Sequence, residues 1–297
     1  MKSPFSYFGG KARISNKVIE LIPKHTVYVE PFCGSATIMF KKPFPGFKCT
    51  DFYREVINDS NKEVFNFFQQ LRDNGEALVE KLYFSLYSEA GYKESCDFSV
   101  TDDLERARRF FINISHSFGH QLSAGWGRSV ISDNMPLSRH VKKIDKLPTY
   151  IERMRSVFVS NLDALECIEK WDSPQSFFYC DPPYPGTSQG HYAGYSLADF
   201  QRLIDKLDKC QGSFMLSCYN PDPSIVIPGD WEKHEIETYC ALSGTGKTRT
   251  NKSVKASGEE LGDRKRVEVI YKRQRKGILR PEIQKLFDSK EMEVFGG

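Results

Sequence analysis

The tetrapeptide Asp181-Pro182-Pro183-Tyr184 groups side chains and a backbone carbonyl that are well suited to chemistry. It follows Ser176–Cys180, an apolar and aromatic run that predicts a buried strand. Two prolines end a strand because neither has an N–H to give to a neighbour, and each fixes its own φ. The pattern predicts a carboxylate, a carbonyl and an aromatic ring on a rigid turn at the carboxyl end of a strand, where ligands bind in open α/β sheets. An ordinary proline turn after a strand is the alternative.

A second predicted strand, 27–29, is followed by Glu30, Phe32, Gly34 and Ser35. Small residues here allow a tight strand-to-helix turn that brings a ligand against a helix N-terminus. The full GxGxxG motif is absent, so a dinucleotide is a poor match. A plain strand-to-helix turn without a ligand is the alternative interpretation.

Acidic residues follow two further predicted strands, with Asp59 after 53–57 and Asp163 after 157–160. A carboxylate at the end of the second strand is suited to the hydroxyls of a nucleoside ribose. A helix N-cap formed by Asp59 or Asn61 is the alternative, and the two roles are compatible.

Composition restricts the class of protein. The chain has 297 residues, 39% of them hydrophobic and 27% charged, with a net charge of +3. This is the composition of a soluble globular protein with room for a large core. The eight cysteines show no CxxC and no metal-ligand spacing with histidine, so we expect thiols in a reducing cytoplasm and no metal. No apolar stretch is long enough for a signal peptide or a membrane span.

Positive charge is concentrated near the C-terminal end. Residues 247–276 contain eleven basic and four acidic side chains, a surplus of seven against three for the whole chain. Lys252, Lys255 and Arg264 belong to this segment. A basic loop is suited to contact with a nucleic-acid backbone, although a merely solvated loop is the alternative.

The alternation of strands and helices lapses between about residues 74 and 150. An apolar stripe predicts a helix over 104–114, and an unusual loop, 115–129, contains His120, Gln121, Trp126 and Arg128. Such side chains suit base edges and phosphates, and the alternative is a disordered tip. We therefore expect a helical target-recognition domain over 61–150 and a catalytic domain over 1–60 and 151–297.

Taken together, FGGK at 8–11, VEPFCGSA at 29–36, the acid at 59 and DPPY at 181–184 resemble the Dam-like DNA adenine-N6 methyltransferases, in the motif order of their alpha group. The resemblance covers most of the chain outside 74–150. It implies a Rossmann-like, S-adenosylmethionine-dependent α/β core with a helical recognition insertion. Ala36 stands where the family's FxGxG motif has its second glycine.

The resemblance also implies roles for individual residues. The residues that would bind S-adenosylmethionine are Tyr7, Lys11, Glu30, Phe32, Gly34, Ser35, Asp59, Asp163 and Asp181. The Asp181 carboxylate and the Pro182 carbonyl would accept the two N–H bonds of the target amine, freeing its lone pair for attack. Tyr184 would stack on an adenine flipped out of the duplex.

Several alternatives and partners follow from the same resemblance. Methylation of RNA adenine, of cytosine N4 or of a protein glutamine is an alternative, as is an inactive DNA-binding relative. The Asn-Gly-Leu-x-Arg pattern of GATC-reading members is absent, and Ser117–Leu122 stands in its place. We expect a monomer acting on double-stranded DNA, with a cognate restriction endonuclease as a candidate partner, in the cytoplasm of a bacterial or phage-infected cell.

Overall fold

The computed structural model describes residues 1–7, 9–49, 51–117, 119, 122–127, 136–184, 194–219, 221–240 and 264–275. Within these ranges, seven strands form one mixed sheet. The strands are β1 (Val27–Glu30), β2 (Arg54–Asn58), β3 (Val157–Ser160), β4 (Ser176–Cys180), β5 (Ser213–Cys218), β6 (Glu232–Cys240) and β7 (Arg264–Arg273). Their order in the sheet is β3-β2-β1-β4-β5-β7-β6. This confirms the predicted α/β fold, consistent with a Rossmann-like methyltransferase core.

The sheet places the predicted site residues at a single edge. Strands β1 to β5 pair in parallel, and β7 pairs antiparallel with both β5 and β6. The chain crosses over between β1 and β4, whose residues Val27 and Ser176 are partners. Carboxyl ends of parallel strands meet at one edge, so the turns after β1, β2 and β4 come together where the strand order reverses.

Helices cover both faces of this sheet. Those in the part of the chain that the structure describes are α1 (Ser15–Glu20), α2 (Thr37–Lys41), α3 (Lys62–Asp73), α4 (Gly75–Tyr83), α5 (Glu89–Ser95), α6 (Asp103–His116), α7 (Pro136–Ile144), α8 (Leu147–Met154), α9 (Ala164–Trp171) and α10 (Leu197–Lys209). None of these is long and apolar enough to span a membrane.

The helix ends follow from local chemistry. The side chains of Asn61, Asp102 and Asp163 accept backbone N–H bonds at the starts of α3, α6 and α9, which satisfies amides that no helical carbonyl reaches. Helix α1 ends at Glu20. The amides of Leu21 and Ile22 bond to carbonyls three residues back, so the last turn tightens before Pro23.

Alternate residues of the strands enter two separate cores. Tyr28, Ile57 and Phe177 face a core that includes residues of α3, α6 and α8. Val29, Val56 and Phe178 face the opposite core, formed with α9 and α10. The alternation is the two-residue period of an extended strand that is covered on both sides.

Helix α3 contacts β3 as well as α4, α6 and α8. The first helix of the proposed insertion thus packs against both the sheet and other helices of the 61–150 segment. The division of the chain at residues 60 and 150 stays a prediction.

A buried ion triad joins β2 to α8 and the end of α2. Glu55, which is 1% exposed, pairs with the ammonium of Lys42 and the guanidinium of Arg153. Lys42 also donates to the Tyr53 hydroxyl at 2.6 Å, and the Arg153 guanidinium lies 4.0 Å from the centre of the Phe44 ring. Burial opposes ionisation of Glu55, but the two cations prevail and lower its pKa.

Candidate active site

A cavity of about 360 Å³ lies at the carboxyl ends of the parallel strands. It is lined both by the turn after β1 and by the turn after β4, which are distant in sequence. Every residue predicted to bind the methyl donor or to act in catalysis lines it: Tyr7, Lys11, Glu30, Phe32, Gly34, Ser35, Asp59, Asp163, Asp181, Pro182 and Tyr184. The structure brings these residues together, and their individual roles stay predictions.

The turn after β1 is a tight backbone cradle. Gly34 has a φ of +48°, and a Cβ built there would lie 3.2 Å from the Tyr7 ring. Ala36 also adopts a left-handed conformation, with φ of +50°, immediately before α2 begins. Glycine reaches this region without strain, whereas alanine pays a cost of about 1 kcal/mol. Ala36 therefore adopts this conformation at a small energetic cost that glycine would not have.

Asp59 holds this turn from the neighbouring strand. One carboxylate oxygen accepts the Gly34 N–H and the other accepts the Asn61 N–H, each at 2.9 Å. Burial raises the pKa of Asp59 to about 6, although these two N–H bonds oppose the shift. Each oxygen retains a further lone pair, so Asp59 can still accept hydrogen bonds from a ligand.

Glu30 ends β1, and its carboxyl group accepts two hydrogen bonds. The Tyr28 hydroxyl and the Met39 N–H both donate to its Oε1 at 2.7 Å. Burial raises its pKa to about 8 despite these two hydrogen bonds. Near pH 7 the side chain therefore carries a proton that it can donate.

The shifted pKa of Glu30 makes the stability of the protein depend on pH. In the unfolded chain Glu30 releases its proton near 4.5, whereas the folded chain keeps the proton to about 8. The folded state thus loses stability relative to the unfolded state as pH rises through this window. Glu30→Gln keeps the Oε1 acceptor but does not titrate. We expect the melting temperature of Glu30→Gln, relative to wild type, to increase between pH 5 and pH 8.5.

The measurement is thermal unfolding at both pH values, with exposed Glu80→Gln as the control. The difference in melting temperature between the control variant and wild type should be the same at the two pH values. A pH-independent difference for Glu30→Gln as well would show that buried Glu30 ionises normally.

Asp181, whose side chain is 20% exposed, contacts a cluster of more deeply buried charges and hydroxyls. Its Oδ1 is 2.7 Å from the Lys11 ammonium and 3.0 Å from the Tyr184 hydroxyl. Glu268 of β7 completes the cluster, with its Oε1 2.5 Å from the Tyr184 hydroxyl and 3.4 Å from Lys11. The Ser217 hydroxyl of β5 also donates to Glu268.

The charges in this cluster stabilise one another. Burial raises the pKa of Asp181, and the adjacent Lys11 opposes that shift. For Lys11, burial opposes the charged form, but Asp181 and Glu268 outweigh it and the pKa is raised. Lys11 therefore remains a buried cation that contacts both carboxylates.

No local pattern in the sequence predicts a role for Glu268. It is a lone carboxylate in the otherwise apolar and aromatic run 267–271, and it is 3% exposed. A charged residue in the middle of a strand that should be buried was the available signal. The identity of its partners depends on pairing of β7 with β5, which the sequence does not show.

Tyr184 is more enclosed than a stacking platform requires. Its side chain is 8% exposed, with the ring centre 4.5 Å from that of Tyr219. The Lys11 ammonium lies 5.0 Å from the same ring centre. Stacking of a target base on Tyr184 stays a prediction.

The predicted DNA contacts are largely beyond the described residues. His120, Gln121, Arg128, Lys252 and Lys255 lie outside that set, and the Arg264 backbone pairs with Cys240 while its side chain is not described. Trp126 is described. Its backbone forms an isolated antiparallel β-bridge with Ser117, and the centre of its ring lies 6.3 Å from the centre of the Tyr87 ring. These contacts remain predictions.

The residues that line the cavity carry a surplus of negative charge, which suits a cationic ligand. The lining includes the carboxylates of Asp59, Asp163, Asp181 and Asp199 and two cations, Lys11 and Arg202. Within the described residues, no group of three or more His, Cys, Asp or Glu side chains could hold a metal ion.

Comparison with known proteins agrees with this geometry. The chain is 22% identical over 246 residues to the retron Ec67 DNA adenine methylase of Escherichia coli, covering 76% of this chain and 79% of the relative. It is 25% identical over 276 residues to the type II methyltransferase M1.LlaDCHI of Lactococcus lactis subsp. cremoris, covering 84% and 89%. A DNA adenine methylase of Vibrio cholerae serotype O1 is 23% identical over 215 residues, covering 68% and 74%.

A family match spans the first strand-end motif, the insertion and the DPPY turn. The family is described as D12 class N6 adenine-specific DNA methyltransferase, and residues 7–225 match it. This selects adenine-N6 methylation of DNA over the alternatives of cytosine, RNA or glutamine methylation and of an inactive relative. The chain belongs to the D12 class N6 adenine-specific DNA methyltransferase family, and it is an enzyme that uses a methyl donor.

Proposed function

We propose that this enzyme transfers a methyl group from S-adenosylmethionine to the N6 amine of an adenine in double-stranded DNA. The observation that carries the proposal is the cavity shared by the Gly34 turn and the Asp181 turn. A donor held by the first turn and an amine held by the second would meet inside it. Such orientation supplies much of the acceleration in a reaction between two bound groups.

The cavity residues fit S-adenosylmethionine by shape and by charge. A Cβ at Gly34 would lie 3.2 Å from the Tyr7 ring, so glycine allows this ring to pack on the turn and to line the cavity beside it. Asp59 keeps lone pairs for ribose hydroxyls, and the surplus of carboxylates suits a cation. When bound, S-adenosylmethionine would supply a methyl group on a positively charged sulfur. An amine nitrogen can attack the carbon of this methyl group, and the sulfur then leaves as a neutral thioether.

Asp181 and Pro182 prepare the amine. The exocyclic nitrogen of adenine is a poor nucleophile because its lone pair is delocalised into the ring. A carboxylate and a carbonyl that accept its two N–H bonds favour a pyramidal nitrogen with a free lone pair. Preorganised acceptors of this kind act through electrostatics, and a covalent enzyme intermediate is unnecessary.

We propose that contact with the DNA backbone comes from the basic segment 247–276 and that base recognition comes from the insertion. The adenine must leave the duplex to reach the Asp181 turn. His120, Gln121, Trp126 and Arg128 carry side chains suited to bases and phosphates. Lys252, Lys255 and Arg264 would neutralise backbone phosphates and release counterions.

The salt dependence of DNA binding tests the backbone contact. The plot of log affinity against log salt should have a slope that is less negative by about 2 to 3 when Lys252, Lys255 and Arg264 are replaced with glutamine. Each lost phosphate contact changes this slope by about 0.9. The measurement is fluorescence anisotropy with labelled duplex between low and moderate salt.

The matched control neutralises the exposed residues Arg155, Lys170 and Lys209, which changes the net charge equally. Their loss should leave the slope nearly unchanged. Equal slopes for wild type and for the triple variant in the basic segment would remove that segment from the DNA interface.

The partner and setting of the enzyme are also part of the proposal. One relative is named a type II methyltransferase, which supports a cognate restriction endonuclease as a candidate partner. We propose a monomer in the cytoplasm of a bacterial or phage-infected cell. GATC is one candidate recognition sequence, and a different or relaxed specificity is the other, because the Asn-Gly-Leu-x-Arg pattern of GATC-reading members is absent at 117–122.

Product analysis tests the proposed reaction. The enzyme is incubated with methyl-labelled S-adenosylmethionine and unmethylated duplex, and the DNA is digested to nucleosides. The label should appear in N6-methyldeoxyadenosine, and sequencing of modified positions gives the recognition site. Label in methylcytosine, in added RNA or in no nucleoside would refute the proposal.

A further inference from the structure

Glu268 acts on the cavity through two residues that line it. It contacts the Lys11 ammonium and the Tyr184 hydroxyl at 3.4 Å and 2.5 Å, and Ser217 donates to the same oxygen. Lys11 and Tyr184 both line the cavity together with Asp181. A buried carboxylate with three partners has a fixed position and a strong local field.

The charges of the cluster do not cancel. Lys11 contributes one positive charge, and Asp181 and Glu268 contribute one negative charge each. Burial raises the pKa of Tyr184 well above its usual value, so its hydroxyl adds no charge. With Lys11 and Asp181 alone the group would be neutral, and Glu268 makes it anionic.

We propose that Glu268 is a positioning residue whose negative charge, acting with the Lys11–Asp181 pair, makes the cavity prefer a sulfonium-bearing donor over the neutral thioether left after transfer. The inference rests on the proposed function, because it concerns the same cavity and the same donor. The anionic group should therefore bind the charged donor more tightly than the uncharged product.

The physical basis is the interaction between charges in a poorly hydrated site. Glu268 is 3% exposed and Lys11 is 7% exposed, so water screens their field weakly. The sulfonium carries a full charge and the thioether product carries none at sulfur. The two molecules otherwise differ only by the transferred methyl group, which is the same in every titration, so the change in their affinity ratio between wild type and a charge variant reports on the charge at sulfur.

Calorimetric titration of the full chain with S-adenosylmethionine and with S-adenosylhomocysteine measures this ratio. In Glu268→Gln, which preserves the size of the side chain, we expect the preference for the donor to fall about tenfold. Most of the change should be weaker binding of the donor, with affinity for the product within about twofold of wild type.

Two further variants separate charge from structure. Glu235→Gln removes an exposed carboxylate of β6, paired with Lys233, and should leave the ratio within about twofold of wild type. The double variant Lys11→Met with Glu268→Gln removes one charge of each sign and leaves Asp181 without the cation that opposes the rise of its pKa. At alkaline pH, where Asp181 is ionised, this variant should regain the wild-type ratio even if both affinities fall, and it tests the inference independently if the single variant does not fold.

If Glu268→Gln leaves the ratio of the two affinities unchanged, whether or not both affinities fall, the inference is overturned and the proposed function is not. Failure of the double variant to regain the preference would also overturn it. If the wild-type chain binds neither ligand, the proposed function itself is refuted, and this inference with it.

Discussion

Replacing Asp181 with alanine should lower the rate of methyl transfer by at least about 10²–10³-fold, the usual cost of losing a preorganised electrostatic contact to reacting groups. The carboxylate is the acceptor proposed to free the lone pair of the adenine amine. Binding of the donor should remain measurable, because the Gly34 cradle and Asp59 lie on other strands and are held by separate hydrogen bonds. Single-turnover rates and donor titrations on the same preparation give both quantities.

The matched control is Asp205→Asn on α10, where the carboxylate is exposed and accepts a hydrogen bond from Gln201. Its turnover should equal that of wild type. Wild-type turnover by Asp181→Ala would exclude this carboxylate from the reaction, whatever the effect on donor binding.

Replacing Glu55 with glutamine should destabilise the fold by about 4 kcal/mol, the typical cost of leaving a buried charge without its partner. Lys42 and Arg153 would then face each other without the carboxylate that joins them. A loss of this size corresponds to a fall of about 10 °C in melting temperature for a domain this large. Urea unfolding and thermal melts measure the two quantities.

Two comparisons define the origin of that loss. Glu152→Gln breaks an exposed pair with Arg155 and should cost less than about 1 kcal/mol. Replacing the whole triad with apolar residues, as Lys42→Met, Glu55→Leu and Arg153→Met together, should cost less than Glu55→Gln alone because no buried charge remains. A Glu55→Gln protein as stable as Glu152→Gln would show that the triad is hydrated.

The strands were predictable because their signals are local. The predicted strands 27–29, 53–57, 157–160 and 176–180 coincide within one residue at each end with β1, β2, β3 and β4. The reversal in strand order then places Gly34, Asp59 and Asp181 at one edge, as the parallel topology requires. The chemistry of strand ends therefore predicted part of the cavity lining, whereas Tyr7 and Lys11 were predicted from the family resemblance.

The electrostatic state of the site was not predictable in the same way. The charge on Glu30 depends on burial beneath α2, and the pairing of Lys11 with Asp181 and Glu268 joins the N-terminal loop, β4 and β7. Such contacts connect residues far apart in the chain, and periodicity records only which side of an element is buried. The left-handed Ala36 was also hidden, since alanine gives no sign of a positive φ.

A crystal structure with bound S-adenosylhomocysteine would test most directly whether donor and amine meet in the cavity between the Gly34 and Asp181 turns. The account predicts that the ligand's ribose hydroxyls contact Asp59 and that its sulfur lies in the cavity on the side of Asp181. A ligand bound elsewhere, or one whose sulfur is separated from Asp181 by protein, would contradict it.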